Sequence, residues 1–403
     1  MFLQKISKFL YLVKIFFIFL IDYKSYLEFI KLIKFVFYQN KKIQYYRNRE
    51  RYGQFVLGLY MALSTFKNDS VILFLKKDII YQGFDKEFKK IFVKKNCFFI
   101  QSEFIYHIVR FYFKNPKSEN FIINYHPTET LKNREMFNFN IEKYLEYKNN
   151  NKVHKYLENK YFKKNNVKKI IIIALKEKAY YSSYNKVFKN YTQPDYEFDD
   201  FERLHKVAKY LCDKNYLVIR SGRYLKKSTF KHKLFFDYAS SKKFNNFKND
   251  LYIANITDYL IGNMTGFDPV CFLWFKKKVF NFQIRNYKFM LHFPNVFFIM
   301  MNIRKKNVLL DINTQMKLES SLWNTHQDQN DLYKILINNG LVVSNYSSDE
   351  IIKSLDFFLN NNLKKINNSF FYEKFLKYYS KEYKKIGKYL PVYKANLINF
   401  NKY

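Results

Sequence analysis

The sequence predicts an α/β protein built on a parallel, doubly wound sheet. Short apolar runs of strand length alternate with stretches whose apolar residues recur at helical spacing, most regularly in the second half. Strands that alternate with helices pair in parallel, because a crossover returns the chain to the same end of the sheet. At 403 residues the chain exceeds what one core usually organises, so we expect two domains.

Changes in composition along the chain divide it into five segments. A basic, aromatic, helical lead-in covers residues 1–50, and a first βα domain covers residues 51–150. Residues 151–168 are polar with little apolar periodicity, so we interpret them as an interdomain linker or helix. A second βα domain follows at residues 169–362, and residues 363–403 form a helical tail.

The lead-in contains an almost wholly apolar run at residues 9–21, surrounded by lysines. A membrane-spanning helix needs about 20 apolar residues, and Lys14 interrupts this shorter run, so we do not expect a span. Two alternatives remain for this segment. It lies in the interface of an anionic membrane with its lysines on phosphate headgroups, or it is a first helix packed on the domain.

The first domain has expected elements in βα order. Residues 52–63 have helical spacing, and residues 71–75 form an apolar run typical of a buried strand. Residues 97–100 and 121–124 are further strand candidates, with a helix-like stretch at residues 103–113 between them.

The second domain alternates more regularly. Its expected strands lie at residues 169–174, 216–220, 259–261 and 278–282, with a short apolar element at residues 235–238. Its expected helices lie at residues 201–211, 250–255 and 270–275. We expect Asp199 or Asp200 to cap the first of these helices and Asp250 to cap the second.

The most informative motif is Gly-Asn-Met-Thr-Gly at residues 262–266, between a predicted strand and a predicted helix. The chain has only 8 glycines, so a pair at one strand end indicates close backbone approach. A helix start presents unpaired N–H groups and the positive end of its dipole, which suits a phosphate. We interpret Gly262, Asn263, Thr265 and Gly266 as a phosphate seat, and an ordinary strand-to-helix turn is the alternative.

Two other predicted strands also end in polar residues. Lys176 and Glu177 follow the first strand of this domain, and Arg220, Gly222 and Arg223 end or follow the second. Ligands of such sheets bind beyond the carboxyl ends of the strands, so these residues predict a cationic, glycine-lined crevice. Each arginine is suited to clamp a diphosphate bidentately, and a solubilising surface role is the alternative.

Asp237 and Asp250 flank this crevice in sequence. Each carboxylate is suited to accept a hydrogen bond from a ribose or sugar hydroxyl, or to cap a helix, and for Asp250 we expect capping.

An ordered series of short motifs in the second half resembles a family of bacterial glycosyltransferases of GT-B type that is associated with surface-polysaccharide biosynthesis. The resemblance covers roughly residues 50–360 and depends on the order and spacing of the motifs. The motifs are Lys-Glu-x-x-Tyr-Tyr from Lys176, Asp-Asp-Phe from Asp199, Tyr-Leu-Val-Ile-Arg-x-Gly from Tyr216, Asp-Tyr-Ala-Ser from Asp237, Asp-Leu-Tyr-Ile-Ala from Asp250 and Ile-Gly-x-x-Thr-Gly from Ile261.

The sequence departs from the family's pattern at two places. The family tends to carry His-x-Arg followed by an acid after the first strand of its second domain, where this chain has Ala174-Leu-Lys176-Glu177. Lysine keeps the charge but loses the bidentate fork, so donor affinity or donor choice is in doubt if the family's arginine contacts phosphates. Thr265-Gly266 replaces a Ser-Gly and retains the hydroxyl.

The resemblance implies two facing Rossmann-like domains, with a nucleotide-sugar donor held mainly by the carboxyl-terminal one and a glycan or lipid-linked acceptor by the other. The donor contacts would come from the three strand ends and Asp237. Such catalysis needs no metal and no cofactor besides the donor, in agreement with the lack of an Asp-x-Asp motif at a strand end. For an inverting reaction the general base would come from the first domain, where His126 and Glu129 follow a predicted strand.

Glu177 is a further catalytic candidate at the donor crevice. We expect an enzyme at the cytoplasmic face of a bacterial membrane, and the alternative is a catalytically inactive relative that binds or scaffolds in polysaccharide assembly.

The charge balance is strongly basic, with 71 Lys+Arg against 34 Asp+Glu and a net charge of +37. Basic residues are dispersed through every segment and no helix-turn-helix, zinc or RNP-type motif accompanies them, so we expect no specific nucleic-acid partner. An anionic substrate or an anionic membrane surface fits better. The 3 cysteines are widely spaced, which indicates buried thiols in a reducing compartment.

Overall fold

The structure is a computed structural model in which two compact units are distinguished, Met1–Glu146 and Tyr147–Tyr403. It describes residues 2–38, 43–47, 52–65, 70–74, 97–100, 102, 104–105, 139–148, 151–179, 199–223, 225–284, 293, 295–311, 314–315, 336 and 338–360.

The first unit contains a three-stranded parallel sheet. Two helices precede it, α1 (Phe2–Ile21) and α2 (Tyr23–Tyr38). The sheet has the order β1-β2-β3, and α3 joins its first two strands. Their bounds are β1 Ile43–Arg47, α3 Tyr52–Thr65, β2 Ser70–Phe74 and β3 Cys97–Ile100. Sequence spacing predicted α3, β2 and β3 but missed β1, because the polar sequence Ile-Gln-Tyr-Tyr-Arg has no alternating apolar pattern.

The predicted strand at residues 121–124 and most of the predicted helix at residues 103–113 lie outside the described residues. The tail at residues 363–403 also lies outside them.

The second unit opens with a helix where the sequence suggested a linker or helix. Helix α4 (Lys152–Leu157) continues into a π-helical turn, Glu158–Phe162. The Asn151 side chain caps it by accepting hydrogen bonds from the backbone N–H groups of the next turn. Tyr161 is buried and its hydroxyl donates to the Phe235 carbonyl at 2.9 Å, so this helix is part of the second unit.

Six parallel strands form the central sheet of this unit, in the order β6-β5-β4-β7-β8-β9. Their bounds are β4 Lys169–Ala174, β5 Tyr216–Ser221, β6 Phe235–Asp237, β7 Tyr259–Gly262, β8 Lys278–Ile284 and β9 Val296–Met300. The predicted α/β class with a parallel sheet is confirmed here. The sheet is compatible with a Rossmann-like fold, and the facing of two such domains stays a prediction.

Helices cover the sheet. Helix α5 (His205–Asp213) follows a 3₁₀ turn, Phe201–Leu204, and packs with the last described helix, α7 (Ser348–Asn360), on the face that carries Ile171 and Ile173. Ile172 points to the opposite face, because side chains alternate along a strand, and it is also fully buried. Both faces are therefore covered, as a parallel sheet requires.

The capping predictions for this unit had mixed outcomes. Asp200 caps the 3₁₀ turn by accepting a hydrogen bond from the Glu202 N–H at 3.1 Å, as expected. The expectation that Asp250 caps the next helix was wrong. Helix α6 (Phe247–Ile256) begins three residues earlier than Asp250, and Asn246 is its cap. Asp250 lies inside the first turn and is buried, so its carboxylate takes side-chain partners instead.

A small antiparallel sheet completes the described part of the second unit. Its order is β11-β10-β12, with β10 Asn302–Lys305, β11 Val308–Leu309 and β12 Leu341–Ser344. Lys306 and Asn307 turn the hairpin with positive φ angles of 47° and 65°, which gives the twist that a two-residue hairpin needs.

The described cysteines and helices bear on the expected thiol burial and on the expected lack of a membrane span. Cys212 and Cys271 are buried free thiols, as expected, and burial raises the pKa of Cys212 to about 12. Within the described ranges, no helix has both the length and the apolar character needed to cross a membrane.

Candidate functional site

The order of the parallel strands identifies a place where ligands bind in such folds. Numbered within the unit, the six strands run 3-2-1-4-5-6, and β4 and β7 are the neighbours at which the direction of winding reverses. The connections leave these two strands toward opposite sides, which opens a crevice beyond their carboxyl ends. Lys176 follows β4 and Asn263 follows β7, so sequence-predicted residues from two strand ends lie at this switch point.

A hydrogen bond joins the two strand ends across the switch point. The backbone N–H of Lys176 donates to Asn263 Oδ1 at 2.7 Å, and Asn263 is buried. Gly262 makes this approach possible, because a Cβ there would lie 2.3 Å from the Ala174 carbonyl oxygen. The glycine therefore accommodates the neighbouring strand, which is a structural role that its position in the motif did not reveal.

Most backbone N–H groups in the turn after Gly262 donate hydrogen bonds to side chains of the protein itself. Thr265 donates to Asp268 Oδ1 from its backbone N (2.9 Å) and from its hydroxyl (2.6 Å). The Phe267 N–H donates to Thr265 Oγ1 at 3.2 Å, and the Met264 N–H donates to Asn281 Oδ1 at 3.3 Å. The Asp268 carboxylate thus occupies the position at the turn where the sequence suggested a bound phosphate.

The helix after the turn is short, as the expected range of residues 270–275 indicated. Asp268 and Pro269 lead directly into a single π-helical turn, Val270–Trp274. A helix this short contributes little dipole, so any anion at the switch point depends on side chains and on individual N–H groups. Gly266 is the exposed residue of the turn, and we find no partner for its N–H among the described contacts.

Asp268 and Asn281 are functional candidates that the sequence did not single out. Asp268 is 1 % exposed, and burial raises its pKa to about 6, against the opposing hydrogen bonds from Thr265 and the positive charge of Lys176. Asn281 Nδ2 lies close enough to favour the carboxylate, but neither it nor Asp268 Oδ2 reaches hydrogen-bonding geometry. In the sequence, the spacing Thr-x-x-Asp, which resembles a capping box, was the feature that could have indicated the bond between Thr265 and Asp268.

Arg220 is at the centre of a buried ion-pair network. The side chain is 4 % exposed and donates from Nη2 to both carboxylate oxygens of Glu177, at 3.0 and 2.8 Å. Its Nη1 donates to the Lys226 carbonyl at 2.8 Å and approaches Asp237 Oδ1 at 3.4 Å. The guanidinium also lies over the Phe201 ring. Its donors are therefore taken by the protein, and in this structure Arg220 positions the ends of β4 and β5.

The two acidic partners of Arg220 are themselves held in place. Burial raises the pKa of Glu177, against the lowering effect of Arg220. Asp237 accepts hydrogen bonds at Oδ2 from the Ser228 N–H and from the Ser240 hydroxyl, both at 2.8 Å. Asp237 therefore secures the segment that connects β5 to β6, and it caps no helix.

Arg223, which follows β5, forms a second ion pair with Asp250 of α6. Its Nη2 lies 2.6 Å from Asp250 Oδ2, while the Tyr238 hydroxyl donates to Asp250 Oδ1 at 2.6 Å. Gly222 precedes it with a φ of 156°, and a Cβ there would lie 2.4 Å from Leu225 Cδ1. The Leu225 side chain is able to move, whereas the positive φ is unfavourable for a residue with a Cβ, so the backbone conformation favours glycine here.

The remaining candidates divide into those outside and those inside the described residues. His126 and Glu129 lie outside them, so the predicted base stays a prediction. Within the described part of the chain, no group of three or more His, Cys, Asp or Glu residues is arranged to hold a metal ion.

Comparison with protein-family models, with curated proteins and with solved structures finds no match to this chain. The class that the fold defines is an α/β protein with a six-stranded parallel sheet that is compatible with a Rossmann-like fold, and its candidate site is the crevice at the β4–β7 switch point.

Proposed function

We propose that this chain is a glycosyltransferase that binds a nucleotide-sugar donor at the β4–β7 switch point and transfers the sugar to a glycan or lipid-linked acceptor in surface-polysaccharide biosynthesis. The observation that carries the proposal is the strand order, which brings Lys176 and Asn263 to the crevice where such sheets bind ligands. The motif series that resembles GT-B glycosyltransferases supports the choice of ligand.

In this proposal the residues of the strand ends have different roles. The half-buried Lys176 supplies positive charge to the donor diphosphate, and the exposed Gly266 N–H supplies a backbone donor. Arg220, Glu177 and Asp237 act as positioning residues, because they pair with one another. Electrostatic stabilisation of the departing nucleoside diphosphate then needs no bound metal. For an inverting reaction, His126 or Glu129 is the proposed base.

A thermal-shift screen with uridine, guanosine, adenosine and cytidine diphosphates tests donor binding. A ligand present at 100 times its Kd stabilises the folded state by about 2.7 kcal/mol, which raises the Tm by several degrees. We expect one diphosphate to give this shift and Lys176→Met to reduce it strongly.

Lys168→Met is the matched control. Lys168 is exposed and lies beside the opposite, amino end of β4, so its replacement removes the same charge away from the crevice. A proposal based on the switch point fails if none of the four diphosphates shifts the Tm, or if the two variants lose the shift equally.

One observation favours the rival function, a catalytically inactive binding or scaffolding subunit. The side chains of Arg220, Glu177 and Thr265 that were expected to face the donor are bonded within the protein. Incubation of the purified chain with the nucleotide-sugar whose diphosphate binds separates the two functions. Release of the diphosphate supports the enzyme, and binding without any release supports the scaffold.

We also propose that the protein works at the inner face of the cytoplasmic membrane. Helix α1 packs on the first unit through buried Ile15 and Phe19, while Leu10, Phe17 and Ile21 are exposed, the last two by 61 % and 85 %. The exposed three lie on one side at i, i+7 and i+11, opposite the buried pair. The helix contains no acidic residue, and Lys14 flanks the exposed side. One helix can therefore satisfy both alternatives considered for this segment, because one side packs on the first unit and the other side is free to contact a membrane.

A further inference from the structure

A lysine-lined groove lies beside the edge strand β6, away from the β4–β7 switch point. It has a volume of about 480 Å³ and lies between α4 with its π-helical turn and the turn that precedes α6. Five lysines line it, namely Lys152, Lys155, Lys160, Lys164 and Lys243.

Aromatic side chains form a firm wall of the groove. The Tyr156 ring lies 4.8 Å from Phe244 and 5.2 Å from Phe236 between ring centroids, and Phe244 and Phe236 are buried. Because these rings belong to the packed edge of the sheet, the wall does not need to form when a ligand binds.

Among the described residues, none supplies a negative charge to the groove. No carboxylate of the described part of the chain lines it. Lys160 donates to the Tyr156 hydroxyl at 2.8 Å, and Lys243 lies over the Phe244 ring. For the ammonium groups of Lys152, Lys155 and Lys164 we find neither an ion pair nor a hydrogen bond to any described residue.

The nearest carboxylate on the same helix belongs to Glu158, and it is engaged elsewhere, because its partners are Lys163 and His154. Five ammonium groups around one groove repel one another when no described carboxylate lies among them, and an anionic ligand relieves that repulsion.

We propose that this groove binds a small ligand that carries two or more linked phosphates. Its volume falls within the range of about 300–1,000 Å³ that is typical of small-molecule sites, which favours a compact ligand over a long polymer. Lysine acts as a point charge without a fixed fork, so several lysines suit a flexible chain of phosphates. The site is independent of the proposed donor crevice, since none of its lysines lies at a strand end of the switch point.

Isothermal titration of the full chain with inorganic tripolyphosphate, with adenosine diphosphate and with a short oligothymidylate tests the proposal. We expect the double variant Lys155→Gln/Lys164→Gln to weaken tripolyphosphate binding by about tenfold, the worth of two charge-assisted contacts. The matched control is Lys227→Gln/Lys231→Gln, which removes the same charge from exposed positions elsewhere on the second unit. The control pair should change the Kd by less than about twofold.

Protection of individual lysines from acetylation, read by mass spectrometry, localises the bound phosphate. We expect tripolyphosphate to protect Lys155 and Lys164 while Lys227 and Lys231 react as before, whether or not a diphosphate also binds the switch point. Stronger protection by tripolyphosphate than by adenosine diphosphate identifies the phosphate chain as the recognised group, and the reverse order identifies a nucleotide.

Uniform protection of all exposed lysines overturns the proposal, because it indicates diffuse attraction to a chain of net charge +37. Equal weakening in the two double variants overturns it as well. Preferential binding of oligothymidylate assigns the groove to single-stranded nucleic acid instead.

Discussion

At the scale of single residues, Asp268 shows how burial sets the chemistry of the candidate site. Its carboxyl group is held by Thr265 on one oxygen, and on the other oxygen it has no hydrogen-bond partner among the described residues. A charge in such surroundings loses its hydration without full compensation, so the protonated form is favoured. An unfolded aspartate has a pKa of about 3.9, whereas burial raises the pKa of Asp268 to about 6.

This difference predicts a specific pH dependence of stability. Between the two pKa values the folded state holds a proton that the unfolded state has lost, so the free energy of unfolding falls as pH rises from about 4 to about 6. The loss is complete above that range and amounts to about 3 kcal/mol. Asp268→Asn imitates the protonated form and should lose this pH dependence, with higher stability than the parent at pH 7.

Urea denaturation at several pH values measures the free energy of unfolding of the parent and of Asp268→Asn. The difference between the two free energies is then followed as a function of pH. Asp349→Asn is the control, because it removes an exposed carboxylate. Parallel stability curves for the parent and Asp268→Asn would mean that the buried carboxyl group does not titrate as proposed.

Arg220 is predicted to matter for folding more than for ligand contact. Arg220→Ala leaves Glu177 buried without its bidentate partner, which typically costs about 3–5 kcal/mol. Replacing both members, as Arg220→Leu with Glu177→Leu, should cost less than the single change, because no unpaired carboxylate remains at position 177. Urea unfolding measures both, and Lys168→Ala should stay within about 0.5 kcal/mol of the parent.

If the double replacement proves at least as destabilising as Arg220→Ala, Arg220 stabilises the fold through its other contacts, with Lys226, Asp237 and Phe201. In either outcome Arg220→Ala is destabilised, so a lost ligand signal in that variant does not separate a lost contact from unfolding, and Lys176 is the better probe of donor binding.

At the scale of elements, helix α1 combines a packed side with an exposed apolar side. Phe19 packs against Tyr26 and Phe104, each at 4.8 Å between ring centroids, and this holds the helix on the first unit. The opposite side keeps Leu10, Phe17 and Ile21 in contact with solvent. Exposed apolar side chains in such a group mark a surface that meets another apolar phase or partner.

The membrane proposal predicts that this exposed side drives binding to anionic vesicles. The triple variant Leu10→Ser/Phe17→Ser/Ile21→Ser should reduce flotation with vesicles that contain phosphatidylglycerol by at least about tenfold, because each side chain contributes about 1.5 kcal/mol or more when fully buried in an apolar phase. Binding to pure phosphatidylcholine vesicles should be weaker for the parent, since neutral headgroups do not attract the lysines.

Val308→Ser/Val342→Ser is the matched control, because both valines are exposed by more than half but lie on the small antiparallel sheet of the second unit. Unchanged flotation of the triple variant would exclude α1 as the attachment surface. If the triple variant instead abolishes self-association in sedimentation, the surface joins copies of this chain, although two chains of net charge +37 repel each other.

At the scale of the whole molecule, apolar periodicity predicted the elements better than it predicted the site. Strands β4 to β8 and helix α5 were located within a few residues, because buried strands and helices require long apolar patterns. Strand β9 and the three strands of the small antiparallel sheet were not predicted. The polar strand β1 and the start of α6 were missed, because a strand of mixed polarity and an asparagine cap carry weaker signals.

The candidate site was predicted in its location but not in its bonding. The sequence indicated that Lys176, Arg220 and Asn263 lie at strand ends, and parallel strands bring such ends to one edge. It did not indicate that Arg220 is committed to Glu177, or that Thr265 is committed to Asp268, since these contacts depend on distances across neighbouring elements and across a turn.

Local pattern alone was therefore sufficient for the α/β class, for the parallel pairing and for the scarce glycines at the strand ends, because propensity and apolar spacing act within a short segment of chain. Strand order, the switch point between β4 and β7, the internal use of the expected phosphate seat and the raised pKa of Asp268 were decided by tertiary structure. These four features share one physical cause. Each depends on burial or pairing, and both are set by which distant segments of the chain pack together.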